Sequence, residues 1–340
     1  MKLSVIVPVY NMASDGKLNY CLDSLLNQNL EKGSFEVIAV DDASTDESAE
    51  ILRQYAEKFP ISFRTVFSEE NRRQGGAKNL GLKVATGEWI GFVDSDDWVH
   101  PDMYRKLLAA AEHDGSDCAG CQYCLTDEHS LKIGKVVNVH NERMAGDMDG
   151  DVMKEWMLGP GSMVVKIYKA SVIRENDLHF PEHTFYEDNY AATIWMSCFK
   201  RFSFVNEALY YYYQHGSSTV HTVDMQRLNN RMDMAVKMLQ DTRRAGLHKK
   251  FKNEIELNFI RIYYINTLFS YMQITSKSDM GFLRTIRNGI KEYVPDYLEN
   301  PYLNEYFNSE QLKFARIHRR SAWLFNLCYR SLFLYRKLRK

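Results

Sequence analysis

Proline is scarce in this chain, at seven of 340 residues. That scarcity, with no low-complexity stretch, excludes collagen-like, mucin-like and long disordered chains. Cysteine is also sparse, and six thiols do not make a disulfide framework at this length, so they are read as reduced in a cytosolic compartment. Net charge is nearly absent. Forty-three Lys+Arg against forty-four Asp+Glu leave −1, so no global basic field recruits nucleic acid. No apolar run approaches the ~20 residues that span a bilayer. The opening run, residues 1–7, is stopped by Pro8, and no small-residue cleavage site follows it. These absences predict a chain that is cytoplasmic, soluble or peripheral to the inner face of the cell membrane, and not exported by a signal peptide. Core-forming residues are plentiful, 45% hydrophobic and 13% aromatic, and the length predicts two domains at roughly 150 residues each.

Residues 3–7 form a continuous apolar run, as expected of a strand buried on both faces. Leu18, Leu22, Leu25 and Leu26 then recur at helical spacing. A second strand at 35–40 precedes a helix marked by Ile51, Leu52, Tyr55 and Phe59, and 63–67, 77–84, 89–93 and 103–111 continue the alternation. Such repeats imply a mostly parallel, doubly wound sheet with right-handed crossovers. Its ligands lie beyond the carboxyl ends of the strands. From 117 to about 219 the pattern is less regular. Strands are expected at 118–125, 132–139 and 210–213, a turn at Gly159-Pro160-Gly161 and a helix near 186–200. After about residue 223, Leu257, Ile260, Tyr264, Leu268 and Tyr271 share one helical face. The expected division is therefore an α/β domain over 1–222 and an all-helical domain over 223–340, the latter for acceptor binding, oligomerisation or membrane docking.

Three strand ends carry chemistry. The first ends in Pro8-Val9-Tyr10-Asn11, the second in Asp41-Asp42-Ala43-Ser44-Thr45-Asp46 and the fourth in Asp94-Ser95-Asp96-Asp97. An Asp-x-Asp pair at an extended strand end directs both carboxylates to one side, because side chains alternate with period two. Two hard oxygen donors on one side suit Mg2+ or Mn2+ that also takes phosphate oxygens. Singly, each segment has a plainer reading: a solvated turn at Asp94-Ser95-Asp96, or a capped helix start after Asp41-Asp42. Their shared place on one sheet edge favours a ligand site.

With Ala77-Lys78-Asn79-Leu80-Gly81, the run from Thr86 to Asp97, and Phe180-Pro181 leading into Tyr186-Glu187-Asp188 and His215-Gly216-Ser217-Ser218-Thr219, these segments follow one order over about residues 3–220. In that order and spacing the chain resembles the family 2 glycosyltransferases of the GT-A fold, inverting, nucleotide-sugar-dependent enzymes of bacterial polysaccharide and cell-wall glycan assembly. The resemblance implies a Rossmann-like, mostly parallel sheet flanked by helices. It also implies a UDP-sugar donor, a glycan or lipid-linked acceptor hydroxyl and a Mn2+ or Mg2+ cofactor. Pro8, Tyr10 and Asn11 would flank the nucleobase, and Asp42 would accept the N3–H of uracil. Asn71 and Lys78 would close over base and ribose-phosphate. Arg72 and Arg73 would compensate diphosphate charge, or belong to a solvated loop. Asp94 and Ser95 would approach ribose or metal, and Asp96 would be the direct metal ligand. Asp188 would be the general base, with Glu187 holding the acceptor or orienting Asp188. His215 would be a third metal ligand, with His221 a poorer substitute. A nucleotidyltransferase would want a Gly-rich phosphate loop where Tyr10-Asn11-Met12 stands, and a non-catalytic glycan-binding protein would have no need of these acids.

Two features stand apart. Cys118-x-x-Cys121-x-x-Cys124 suggests a metal site, yet on a strand Cys121 would face away from the other two, so small buried residues are the expectation. After Glu310 there is no acid, while nine basic residues are interspersed with Trp323, Phe325, Phe333 and several leucines. The segment 313–340 is thus expected either to touch an anionic membrane or to dock on its own domain, and the C-terminal helices offer a route to a homo-oligomer.

Overall fold

The computed structural model describes residues 1–214, 223–275 and 277–339, Lys337 by its backbone alone. The chain divides into two compact units, Met1–His221 and Thr222–Lys340. In the first, β1 (Leu3–Val9) is buried at every position, as its apolar run requires. It is followed by α1 (Lys17–Leu26), β2 (Phe35–Asp41), α2 (Ser48–Lys58), β3 (Phe63–Phe67), α3 (Arg73–Val84), β4 (Trp89–Phe92), β5 (Trp98–Val99) and α4 (Met103–Asp114). Then come β6 (Cys118–Thr126), β7 (Lys135–Val137), β8 (Gly146–Asp147), α5 (Gly150–Leu158), β9 (Lys166–Lys169), α6 (Ala170–Glu175), α7 (Glu187–Met196) and β10 (Arg201–Tyr213).

The main sheet runs β3-β2-β1-β4-β9-β6-β10-β5. The first four strands of this order are parallel to one another, which is the doubly wound half that strand–helix alternation predicts. Beyond β4 the sheet is mixed. β9 is antiparallel to both β4 and β6, β6 is parallel to β10, and the short β5, β7 and β8 pair antiparallel. The change begins where the regular alternation stops, so no repeated crossover imposes a single strand direction there.

Phe92, two residues before Asp94, packs against Phe180 and against Trp195 of α7, with ring centroids 5.3 and 5.9 Å away. Tyr168 on β9 closes the same cluster. Edge-to-face aromatic packing of this kind fixes the end of β4 relative to α7. The second unit is helical: α8 (Met225–Arg244), α9 (Leu247–Lys250), α10 (Lys252–Phe259), a π-helical stretch (Ile260–Asn266), α11 (Thr267–Ile274), α12 (Met280–Tyr293), α13 (Leu303–Tyr306), α14 (Ser309–Arg320) and α15 (Ala322–Leu338). Leu257, Ile260, Tyr264, Leu268 and Tyr271 are all buried in it.

Candidate active site

At the carboxyl edge of the parallel half, Val9 and Asp41 stand opposite each other in register, and the Val93 N–H donates to the Ile6 carbonyl. Tyr10, Asp42 and Asp94 thus leave three neighbouring strands side by side. Tyr10 is exposed, whereas Pro8 is buried within β1, so Tyr10 is the residue of the two that offers a ring face. Asn11 has left-handed backbone (φ 53) and is tied down: its Oδ1 accepts from the Thr45 N–H at 2.8 Å and its N–H donates to Ser44 Oγ at 3.0 Å. It locks the β1 loop to the β2 loop.

Asp42 is buried, and its Oδ1 accepts the Arg72 N–H at 2.8 Å. Burial raises its pKa against the pull of the Arg72 and Arg73 N–H groups. Arg73 takes left-handed backbone (φ 63), with its N–H on Asn71 Oδ1 at 3.2 Å and its guanidinium over the Phe185 ring. Arg72 is engaged by Glu70 and Glu182, both at 3.3 Å. The two arginines therefore stitch the start of α3 to the segment that leads into α7.

That segment is held close by α3. A Cβ on Gly75 would lie 2.0 Å from the Pro181 carbonyl oxygen and 3.2 Å from Glu187 Cγ, so only glycine permits the approach. One turn on, Lys78 is buried and donates to Glu187 Oε1 at 3.0 Å, with Phe180 below its ammonium. Burial pulls the Lys78 pKa down, but Glu187, Asp94 and Asp188 outweigh it, and the net direction is up. Lys78 is thus a buried counter-charge to the acids of β4 and α7. The next residue, Asn79, donates to the Phe180 carbonyl and to Glu182, and accepts from the Phe180 N–H, all at 2.9 Å. Sequence reasoning assigned Asn79 no role. A carboxamide between a buried lysine and the apolar Leu80 was the signal available.

The Asp-x-Asp segment differs from expectation in conformation. β4 ends at Phe92, and the Asp97 N–H donates back to the Asp94 carbonyl at 3.0 Å. Residues 94–97 form a tight turn, so turn geometry and not strand alternation sets where the carboxylates point. Asp97 is consumed structurally: its two oxygens accept from the Tyr210 hydroxyl at 2.5 Å and from the Tyr213 N–H at 2.9 Å. Tyr210 also accepts the Asp94 N–H at 3.3 Å, a positioning role that its place in an aromatic run concealed. Asp94 Oδ1 is buried without a partner among the described residues. Burial, with Asp96, Glu187 and Asp188 against Lys78, pushes the Asp94 carboxyl up to about 6. Ser95 is buried and Asp96 half-buried.

Asp188 opens α7 behind Tyr186, whose backbone is left-handed (φ 65). Asp188 reaches solvent, although the surrounding protein crowds and desolvates its carboxylate. That crowding and the adjacent Glu187 push it up to about 6, opposed by Lys78 and the Asn189 N–H. Asp94, Asp96, Glu187 and Asp188 therefore form one electrostatic cluster around Lys78. His215, Ser217, Ser218, Thr219 and His221 lie outside the described residues. Among the described residues no three His, Cys, Asp or Glu side chains cage an ion by themselves. Cys118, Cys121 and Cys124 are fully buried, and burial pushes the Cys121 thiol up to about 12. A cavity of about 390 Å³ opens beside Leu82, Lys83, Ile173 and Arg174, but its lining includes neither Lys78 nor the acids at 94–97 and 187–188. The chemistry and the cavity are separate features.

The model of glycosyl transferase family 2 matches residues 4–169. The uncharacterized glycosyltransferase YibD of Escherichia coli (strain K12) is 31% identical over 64% of this chain and 62% of its own length. The poly(ribitol-phosphate) beta-glucosyltransferase of Bacillus spizizenii is 33% identical over 54% of this chain, which spans only 27% of that relative. EpsH of Bacillus subtilis (strain 168), also named as a glycosyltransferase, is 30% identical over 74% of this chain and 71% of its own length. Among solved structures, Staphylococcus aureus TarS 1–349 in complex with UDP-GlcNAc superposes with a TM-score of 0.70 at 21% identity, covering 97% of this chain and 92% of that one. That likeness concerns the fold.

Proposed function

The chain belongs to glycosyl transferase family 2, and on that premise we propose that it moves a sugar from a UDP-sugar to a hydroxyl of a glycan or lipid-linked glycan, inverting C1. The observation that carries this reading is the acid cluster shared by the end of β4 and the start of α7, with Lys78 at its centre. The poly(ribitol-phosphate) transferases among the relatives support a setting in wall or surface glycan assembly.

Asp188 is the general base. Its raised pKa brings it toward the range in which a carboxylate accepts a proton effectively near neutral pH. Glu187 is the positioning partner, because adjacent helical residues point about 100° apart and its oxygen is already held by Lys78. Tyr10 stacks on the base, and Asp42, held by the Arg72 N–H, recognises the N3–H of uracil. Asn11 and Asn71 keep their loops in place around the nucleoside. Lys78 restrains the cluster's negative charge and so keeps Asp94 and Asp188 ionisable at neutral pH. The residues present fit a divalent cation: Asp94 has an orphaned buried oxygen, and several acids answer to one buried lysine. Asp96, with Asp94, would hold Mn2+ or Mg2+ together with donor phosphates. Bound there, the cation would neutralise charge building on the departing nucleoside diphosphate.

Replacing Asp188 with Asn is expected to cut transfer about 10²- to 10⁴-fold while leaving UDP binding, read by thermal shift, intact. Undiminished transfer removes Asp188 from the role. Asp96→Ala is expected to weaken UDP binding in Mn2+ but not in its absence; equal weakening in both conditions would exclude it as the metal ligand.

A further inference from the structure

The helix α15 is apolar on two sides. Ala322 and Phe325 are buried, and the rings of Phe325 and Tyr329 pack on Phe314 of α14 at 5.9 and 5.3 Å. This inner face docks the helix on its own unit. The outer face is apolar as well: Trp323 is 62% exposed, Leu327 48%, Leu334 57% and Leu338 79%. At 100° per residue these four fall within an arc of about 60°, and their axial span is about 23 Å. A stripe of that size on an exposed helix costs solubility unless something covers it.

Charge identifies the cover. Residues 310–340 hold nine basic side chains and one acid, a net of +8, so the other 309 residues sum to −9. Arg336 is paired with Glu310, at 3.1 Å through Nη1, and Arg330 donates to the Met272 carbonyl, Thr275 and Ser278. The local field nonetheless stays positive. A second copy meeting the stripe face to face across a two-fold axis would set +8 against +8. No helix among the described residues is long and apolar enough to cross a bilayer. An apolar stripe that includes a tryptophan and lies within a basic surround suits the interface of an anionic membrane, lying in the plane.

We propose that the outer face of α15, through Trp323, Leu327, Leu334 and Leu338, docks the protein on anionic lipid. The inference does not depend on the reaction above. The tryptophans provide an internal probe: of five, Trp89, Trp98, Trp156 and Trp195 are buried and Trp323 alone is exposed. With full-length protein and vesicles of phosphatidylcholine containing phosphatidylglycerol, Trp323 fluorescence should shift to the blue and become quenched by brominated acyl chains. Pure phosphatidylcholine should give neither effect, and high salt should reverse both. The triple variant Trp323→Ser, Leu327→Ser, Leu334→Ser should sediment with the anionic vesicles at least about tenfold more weakly, with its thermal midpoint retained because these side chains are exposed. Three results would overturn the proposal. One is wild-type fluorescence indifferent to anionic vesicles. Another is equal sedimentation of wild type and triple variant. The third is a lipid-indifferent wild-type dimer that the triple variant converts to monomer, which would assign the stripe to a second copy.

Discussion

Asp188 meets solvent and yet sits in crowded protein, and both conditions matter for its chemistry. Its carboxyl is pushed up to about 6 by the surrounding protein and by Glu187, and drawn back by Lys78. A base must be unprotonated to act, so kcat/KM should fall as pH drops through about 6. Glu187→Gln removes a neighbouring like charge and leaves Lys78 to act on Asp188, so the acid limb should move to lower pH. A limb that stays in place, or moves upward, would separate Glu187 from the titration. The strand ends alone marked Asp42 and Asp94 as acids on the ligand edge of the sheet. Asp97 was not distinguishable from Asp96 by sequence. Only the Tyr210 hydroxyl and the Tyr213 N–H, on a strand more than a hundred residues away, reveal that Asp97 is occupied.

At the scale of elements, the site depends on how closely α3 approaches the segment before α7. Gly75 is the contact point, and the atom that a methyl group would strike is a backbone carbonyl, which cannot swing aside. Gly75→Ala should therefore force the two elements apart, costing about 1–3 kcal/mol and carrying Lys78 away from Glu187. A lowered thermal midpoint together with lost transfer is the expected outcome; wild-type behaviour in both would show that the elements yield freely. The turn at 94–97 makes a related point. Period-two alternation predicts the direction of side chains only while the backbone remains extended, and β4 stops two residues short of Asp94.

At the scale of the molecule, a buried histidine makes the C-terminal unit sensitive to acid. In the C-terminal unit His318 is buried, with Nδ1 facing the Tyr264 hydroxyl at 3.0 Å and Nε2 facing the Leu283 carbonyl at 3.1 Å. Burial lowers its pKa to about 4 from an ordinary 6.5. Between those values the unfolded chain binds a proton that the folded unit refuses. Stability is complete above about pH 6.5 and declines as pH falls toward 4, by about 3 kcal/mol in all. Hydrogen exchange followed by peptide should show protection around α14 weakening over that window in wild type. His318→Gln, lacking the titration, should show a flatter dependence, and an equal slope in the variant would assign the effect elsewhere.

The alternation of short apolar runs with helical spacing determined the α/β class from the sequence by itself, while the family resemblance rested on the order of the motifs at 8–11, 41–46, 77–81, 86–97 and 186–188. The first is a local pattern, set by residues a few positions apart that respond to the same strand or helix period. The Lys78–Glu187 pair, the Asn79 clamp on Phe180 and the Tyr210–Asp97 bond join residues 109, 101 and 113 positions apart. No period relates such positions. Their meeting was decided only when strand order and aromatic packing closed the tertiary structure, because a long-range polar contact forms where the folded backbone happens to bring a donor to an acceptor and exclude water from both.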